Sequence, residues 1–272
     1  MRDRIHQLLR GESVRRSMRE KFIRAMAEVM EPFQNEQRER LDRLEHELRQ
    51  DAKHAFDRLV EFEVRSRRDI VYAADQEAAI EANRFVRNHM PTAPHFGDPH
   101  ATLEHALSLA PAEGMALEFG VYTGTTLKII AAARHGEVYG FDSFQGLPED
   151  WRNGFPAGTF TVDGLPDVSG AELVPGWFDE TLPKFLDEHP GPVGFLHVDG
   201  DLYSSAKTVL DLVGPRLVEG SIVVFDEFFN YPGWQRHEYR AWMEYVGATG
   251  VEFTYEGYTY SDEQVIVRIG GR

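Results

Sequence analysis

Cysteine is absent from the 272 residues, so the chain has no disulfide framework, no thiolate metal ligand and no cysteine nucleophile. No run of about 18 apolar residues is present, which argues against a membrane-spanning helix. The first residues, MRDRIHQLLRGESVRR, lack the apolar core of a signal peptide. We therefore expect a cytoplasmic protein with no membrane partner.

Positive charge is scarce beyond residue 90, where ten Lys and Arg stand against 27 Asp and Glu. Residues 1–90 hold 19 Lys and Arg and 18 Asp and Glu, so they are nearly neutral. A strongly acidic segment repels phosphate backbones, and no nucleic-acid partner is expected. The change in charge balance predicts two structural units.

Glycine is missing from residues 12–89, and Pro32 is the one proline there. Apolar residues recur every three or four positions, which predicts two or three long helices over 12–90, interrupted at Pro32. From Leu41 to Phe62 the spacing resembles about three heptads. We expect residues 1–90 to form a helical extension for packing or homo-oligomerisation, as a dimer or higher. Its polar face has no cationic excess, which disfavours binding to a membrane surface.

Residues 91–99 read as a linker, and Asp98-Pro99 predicts the start of a helix that ends near Leu109. From Met115 onward short apolar runs alternate with helical stretches. This alternation predicts an α/β domain over 100–272, with a Rossmann-like, mostly parallel seven-stranded sheet. The last two runs are separated only by a turn at Ser261-Asp262, so they predict an antiparallel C-terminal hairpin.

The first predicted strand ends in LEFGVYTGTT, where Glu118, Gly120 and Gly124 form an E-x-G-x-x-x-G pattern. Neither the G-x-G-x-x-G fingerprint of nicotinamide cofactors nor a P-loop lysine is present. An acidic strand end suits S-adenosylmethionine, which carries an ammonium and a sulfonium but no phosphate. Asp142, at the end of the second strand, is placed to accept the ribose hydroxyls.

The predicted cofactor site draws on three loops. Its glycines are expected to let the backbone approach the ligand, its threonines to cap the next helix, and its aromatic pair before a helix to flank the adenine. The residues are Glu118, Phe119, Gly120, Tyr122, Gly124, Thr125, Thr126, Asp142, Ser143, Trp177, Phe178 and Asp199.

Four carboxylates follow two predicted neighbouring strands: Asp199 and Asp201 in HVDGDLY, and Asp226 and Glu227 in VVFDEF. Acids gathered at one sheet edge repel one another, and a divalent cation relieves the repulsion. Oxygen ligands favour Mg²⁺, with Ca²⁺ or Mn²⁺ as alternatives. The alternative explanation of the cluster is solvated loop acids, or a Lys or Arg partner elsewhere in the chain.

Such a cation would bind a substrate hydroxyl and lower its pKa. Asp201 or His237 would then take the proton, with Asp199 beside them as the third candidate catalytic residue. His197, inside an apolar strand, reads instead as a hydrogen-bonded core histidine.

The segments LEFGVYTGTT, FDSFQGLPEDW, PGWFDETLP, HVDGDLYSS and VFDEFFNYPGW resemble, in this order, the TylF-type (macrocin) O-methyltransferases, a branch of the Class I methyltransferases. The resemblance covers about residues 100–270 and implies S-adenosylmethionine and Mg²⁺ as cofactors. It implies Asp199, Asp226 and Glu227 as metal ligands and Asp201 as the base. Many members have a second Asp where Glu227 stands, and the following GWQRHEY departs from their more usual continuation.

The leading hypothesis is a Mg²⁺-dependent O-methyltransferase acting on a hydroxyl of a saccharide or a glycosylated natural product. Aromatic residues expected near the rim suit a sugar face: Trp151, Phe155, Tyr203, Phe228, Phe229, Tyr231 and Trp234. Two alternatives stay open. One is a nicotinamide-dependent oxidoreductase or epimerase on the same fold, and the other is a non-catalytic helical interaction protein with a ligand-sensing domain.

Overall fold

The computed structural model describes the backbone of residues 2–271 and the side chains of residues 14–271. The chain divides into two compact units between Asp69 and Ile70. None of the described helices combines the length and the apolar character needed to cross a membrane.

The first unit is one long helix, α1 (Arg2–Arg68), of 67 residues. At 1.5 Å per residue it is about 100 Å long. The interruption expected at Pro32 is wrong, because α1 continues through it. A proline removes a single backbone hydrogen bond, and the surrounding Glu, Gln, Arg and Leu residues favour helix strongly enough to carry it across. Side chains 14–68 are all exposed.

The second unit alternates helices and strands. In chain order they are α2 (Ile70–His89), β1 (His95–Phe96), α3 (Pro99–Leu109), β2 (Met115–Phe119), α4 (Thr125–Ala133), β3 (Val138–Asp142), β4 (Glu172–Pro175), α5 (Phe178–Glu188), β5 (Val193–Val198), α6 (Tyr203–Val213), β6 (Leu217–Phe225), α7 (Glu238–Thr249), β7 (Phe253–Thr259) and β8 (Val265–Ile269). The predicted N-terminus of α3 is confirmed, since the Asp98 side chain accepts a hydrogen bond from the amide of Ala101.

The strands form a single sheet in the order β1-β7-β8-β6-β5-β2-β3-β4. β8 runs antiparallel to both of its neighbours, and the other pairs are parallel. The predicted α/β fold with an antiparallel C-terminal hairpin is confirmed. The sheet has eight strands rather than seven, because two residues of the expected linker pair with β7 as β1.

Helices cover both faces of the sheet, so β2 and β5 are buried along their whole length. Alternate strand residues face opposite sides. Leu117 and Val223 pack with residues of α2, α5, α6 and α7. Ala116 and Ile222 pack with residues of α3 and α4. Between β2 and β5 the chain reverses its direction of travel across the sheet, which is where α/β folds open a crevice beyond the strand ends.

The boundary between the units lies near residue 70 rather than residue 90. α2 belongs to the α/β unit because Ala82 and Phe85 are part of its core. The Phe85 ring contacts those of Phe228, Trp234, Tyr239 and Tyr255 at centroid distances of 5.6–6.0 Å. The apolar periodicity of residues 12–90 therefore runs through two helices in different environments: α1, whose described side chains are exposed, and α2, which packs in the core.

Phe85→Ala should lower the free energy of unfolding by about 3–5 kcal/mol, because it leaves a cavity in this aromatic cluster. Urea denaturation followed by circular dichroism measures the change. Ile80→Ala, in the same helix but 54% exposed, is the control and should change stability by less than about 0.5 kcal/mol. Equal small effects of both substitutions would contradict the packing of α2 on the sheet.

Candidate functional site

A cavity of about 690 Å³ opens beyond the carboxyl ends of β2, β3, β5 and β6. Ten of the residues predicted for the site line it: Gly120, Tyr122, Asp142, Ser143, Trp177, Phe178, Asp199, Asp201, Asp226 and Glu227. Both predicted groups, the cofactor loops and the acid cluster, thus meet in one crevice. Six others are not in its wall: Glu118, Phe119, Gly124, Thr125, Thr126 and His237.

Glycine is required at residue 120 by the close approach of another backbone segment rather than by a ligand. Gly120 has φ of +101°. A Cβ there would lie 1.7 Å from the carbonyl oxygen of Asp199. The loops after β2 and β5 therefore cross in direct backbone contact, and the amide of Asp199 donates to the carbonyl of Phe119 over 2.8 Å. This crossing brings Asp199 to the end of the cofactor loop.

Asp142 fixes the loop after β2. One carboxylate oxygen accepts hydrogen bonds from the amides of Val121 and Tyr122, at 2.9 and 2.8 Å, and the other accepts from the amide of Phe144 at 2.7 Å. Tyr122 and Phe144 both have positive φ, which costs free energy in residues other than glycine. The carboxylate offsets that cost and still faces the cavity.

Residues at the start of α4 face away from the cavity. Gly124 occupies the N-cap position in a left-handed conformation, and no side chain caps the helix, so the capping role predicted for Thr125 and Thr126 is not observed. Phe119 stacks on Phe141 with ring centroids 4.6 Å apart. Its role is packing under the cavity floor.

Glu118 is fully buried and points along the sheet. Its Oε1 lies 2.9 Å from Nδ1 of His197 in the neighbouring strand. Burial raises the pKa of Glu118, and hydrogen bonds from His197 and Thr126 oppose that shift. The histidine is satisfied inside the core, as its apolar strand predicted.

The four acids converge as predicted. Asp199 and Asp201 follow β5 and Asp226 and Glu227 follow β6, two strands paired up to Val198 and Phe225. Burial, and then the charge of Asp226, raise the pKa of Asp199 well above its ordinary value. The same causes raise the pKa of Asp201 to about 7. Burial and the charge of Asp201 raise the pKa of Glu227.

Asp226 is the exception in the cluster. Burial is the largest single cause and acts to raise its pKa, but the hydrogen bond and charge of His197, together with hydrogen bonds from Gln264 and Glu227, leave the pKa below its ordinary value. For His197, burial acts to lower the pKa, and the hydrogen bonds to Asp226 and Glu118 outweigh it, so the pKa lies well above its usual range. A charged histidine therefore compensates one of the acids.

Arg152 is the one Lys or Arg that lines the cavity among the described residues. Its Nη1 donates to both carboxylate oxygens of Glu263, at 2.8 and 3.0 Å. The guanidinium also lies over the Trp151 ring, 4.0 Å from the centroid. Arg152 is paired with Glu263 and also acts to lower the pKa of Asp201, but burial and the charge of Asp226 raise that pKa more strongly. Arg152 therefore offsets the acid cluster only in part.

Glu238, at the start of α7, was missed by the sequence analysis. It is fully buried, and one carboxylate oxygen accepts from the amide of Glu227 over 3.0 Å. Its position in HEYRAW looks like the polar face of an ordinary helix, so no signal marked it. His237 lies next to it, but its ring packs near Tyr231 rather than in the cavity wall.

The donor set fits a hard divalent cation. Four carboxylates line one cavity, and within the described residues Oε2 of Glu227 is buried without a hydrogen-bond partner. His197, Asp199 and Asp226 bring ligand atoms within 4.8 Å of one another. Oxygen-rich, partly unsatisfied sites of this kind suit Mg²⁺ or Ca²⁺.

Aromatic rings form the opposite wall. Tyr122, Trp151, Phe155 and Phe160 line the cavity together with the first residues of α5. The other predicted rim aromatics are elsewhere: Phe228, Phe229, Tyr231 and Trp234 are at most 4% exposed and belong to the core. The Tyr203 hydroxyl donates to Glu244. Large aromatic residues in a loop carry no signal that separates a wall from a core.

Residues 117–228 match a family described as "Methyltransferase domain". Two curated relatives are similar to the chain. The 8-demethyl-8-(2,3-dimethoxy-alpha-L-rhamnosyl)-tetracenomycin-C 4'-O-methyltransferase of Streptomyces olivaceus is 29% identical over 46% of this chain and 58% of its own length. The mycinamicin III 3''-O-methyltransferase of Micromonospora griseorubida is 28% identical over 51% of this chain and 66% of its own length. The chain thus spans less than two thirds of each relative.

Among solved structures, the calicheamicin methyltransferase CalS11 is 26% identical, with a TM-score of 0.49 over 62% of this chain and 76% of that one. The family match covers residues 117–228, the segment that carries the predicted cofactor loops and the four acids. The resemblance to Class I O-methyltransferases predicted from the motifs is confirmed.

Gly120→Ala should disrupt the crossing of the two loops. The left-handed conformation alone costs about 1–2 kcal/mol, and forcing Cβ against a backbone carbonyl adds at least the 1–3 kcal/mol or so of overpacking. Gly154→Ala is a matched control, since Gly154 has φ of +91° but a Cβ added there would meet no atom within 4 Å. Urea denaturation should show a clearly larger loss for Gly120→Ala; equal losses would contradict the crossing.

Proposed function

We propose that the α/β unit transfers a methyl group from S-adenosylmethionine to a hydroxyl of a saccharide or glycosylated small molecule, with Mg²⁺ as the metal. The observation that carries the proposal is the group of four carboxylates facing one cavity with the loop after β2. The similarity to two sugar-product O-methyltransferases supports the reaction type.

Three elements would hold the methyl donor. The loop after β2, pinned by Asp142, supplies backbone groups and a carboxylate for the ribose. Trp177 and Phe178 stand at the N-terminus of α5 and offer an apolar wall for the adenine. The negative charge of Asp199 favours a sulfonium nearby.

Asp199, Asp226 and Glu227 would hold the metal. When bound, Mg²⁺ supplies an electrophile that lowers the pKa of the acceptor hydroxyl and orients it. Asp201 is the candidate base. Its pKa of about 7 is close to the value that serves proton transfer at neutral pH. The aromatic wall at Trp151 and Phe155 excludes water and suits the apolar face of a sugar.

The two alternatives are less well supported. A nicotinamide cofactor would bring a pyrophosphate into a cavity wall with seven acidic side chains and one arginine. A ligand sensor has no need for an acid whose pKa is shifted to about 7 inside the cavity. Both alternatives are tested by the same experiment as the methyltransferase.

Isothermal titration with S-adenosylhomocysteine should give a dissociation constant in the micromolar range. Asp201→Asn should keep that constant within about threefold and lower the rate of methyl transfer to the acceptor by about 10²–10⁴-fold, because it removes the base. A radiolabelled-methyl assay on a panel of glycosides measures transfer, with exposed Asp167→Asn as the control. Absence of binding below millimolar concentration would contradict the proposal.

We further propose that a second copy of the chain packs along α1. Large apolar side chains on α1 are exposed, among them Met18 at 69%, Phe22 at 65% and Leu48 at 68%. Exposed apolar surface of this extent marks an interaction site. Residues 14–69 hold 14 Lys and Arg and 13 Asp and Glu, so an identical helix meets no net repulsion.

The spacing favours helix pairing over other uses. Phe22, Phe33, Leu44 and Ala55 are 11 residues apart. An 11-residue repeat keeps one apolar line facing a partner helix in a nearly straight or slightly right-handed supercoil. Pairing along α1 would then bring two α/β units together, and α1 itself would take no part in methyl transfer.

Light scattering should give a mass at least twice the 31.0 kDa of one chain. Leu44→Glu/Leu48→Glu should lower it to 31.0 kDa. His46→Glu/Gln50→Glu adds the same charges on the opposite side of α1 and should leave the assembly intact. A wild-type mass of 31.0 kDa at tens of micromolar would contradict pairing through α1.

A further inference from the structure

Three polar side chains lie in line across the central strands, and we refer to Glu118, His197 and Asp226 as the buried triad. Glu118 in β2 is in register with His197 in β5, and Asp226 follows β6, the other neighbour of β5. Nδ1 of His197 lies 2.9 Å from Oε1 of Glu118, and Nε2 lies 3.4 Å from Oδ1 of Asp226. Only the last member, Asp226, reaches the cavity wall.

Packing alone does not account for the triad. The other residues of β2 (MALEF) and β5 (VGFLHV) are apolar or glycine, and the side chains of Glu118 and His197 are 0% and 1% exposed. Taking such groups out of water is costly, and an apolar pair of similar volume would be as stable or more so. The pair therefore has a use beyond filling the core.

We propose that Glu118 and His197 are positioning residues, which hold the carboxylate of Asp226 in the orientation that a divalent cation requires. Glu118 fixes the imidazole ring through Nδ1, and Nε2 then donates to Oδ1 of Asp226. The Asp226 side chain remains 23% exposed toward the cavity. Ligating carboxylates are generally hydrogen-bonded by a partner of this kind. The inference rests on the proposed metal site.

The geometry separates this role from two others. Direct contact with the cofactor, which the sequence suggested for Glu118, is not available because Glu118 does not line the cavity. Ligation by His197 is geometrically conceivable, since its ring lies within 4.8 Å of Asp199 and Asp226 oxygens. Ligation would use Nε2, however, and would give up the contact with Asp226.

Glu118→Gln tests the role, because it keeps the shape of the side chain and removes the charge that anchors the ring. Binding of Mn²⁺ is followed by electron paramagnetic resonance, and binding of S-adenosylhomocysteine is measured separately in the presence of a chelator. Thr102→Val is the control. It breaks another buried side-chain hydrogen bond, that between Thr102 and Thr259 at 2.6 Å.

We expect Glu118→Gln to weaken Mn²⁺ binding by about 10–100-fold and to leave the metal-free affinity for S-adenosylhomocysteine within twofold. Thr102→Val should change neither. Unchanged Mn²⁺ affinity in Glu118→Gln, or a parallel loss of S-adenosylhomocysteine affinity without metal, would overturn the positioning role. Failure of the wild-type protein to bind either ligand would instead overturn the proposed function, and the inference with it.

A measurement on the wild-type protein covers the case in which Glu118→Gln does not fold. In protein labelled with ¹⁵N-histidine, the Nε2–H group of His197, which faces Asp226, should be observed by NMR and should shift, without loss, when Mg²⁺ is added. Loss of the Nε2–H signal on adding Mg²⁺ would make His197 a ligand and overturn the proposal. An unshifted signal under saturating Mg²⁺ would overturn it as well.

Discussion

Repulsion among buried carboxylates is the constraint around which the α/β unit is organised. Asp199, Asp201, Asp226 and Glu227 share one edge of the sheet, and burial together with their mutual charge raises the pKa of three of them. One imidazole compensates Asp226, and the only arginine in the described cavity wall is paired with Glu263. A ligand that completes the cluster relieves this repulsion, and in the proposed function that ligand is a divalent cation.

The sheet makes the cluster possible in two ways. Parallel pairing of β5 with β6 brings the two acid pairs side by side. The crossing at Gly120 then presses the loop after β2 against Asp199, so the predicted cofactor loop and the acids share one cavity. In the proposed reaction this would place the methyl donor beside the acceptor hydroxyl. The position of this loop is held by backbone contacts, which tolerate no side chain at residue 120.

The order of the secondary-structure elements and the residues at the strand ends could be predicted from the sequence. Alternating apolar runs predict a parallel sheet, and residues just after its strands must meet at one edge, where Asp142, Asp199 and Asp226 indeed line one cavity. The sequence did not predict the direction in which a side chain points within a strand or loop. Glu118 sits in the same motif as Gly120 yet points along the sheet to His197. Gly120 serves a backbone crossing, and no local pattern distinguishes that from an approach to a ligand.

The predicted helical extension, residues 1–90, shows the same limit of sequence-based prediction. The apolar period of residues 12–90 is continuous, yet α2 packs on the sheet, whereas the described side chains of α1, residues 14–68, are exposed. Periodicity identifies a helix and its apolar face, but it does not identify the surface that covers the face. Arg152 and Glu238 were missed because a lone arginine in a loop, or a lone glutamate at a helix start, has many ordinary explanations.

Diffraction from crystals grown with Mn²⁺ and S-adenosylhomocysteine tests the central claim most directly. The account predicts an anomalous peak among Asp199, Asp226 and Glu227, with the sulfur of the ligand facing it across the cavity and Asp201 beside the open coordination position. An ion bound elsewhere, or these carboxylates turned away from one another with the ligand in place, would contradict it.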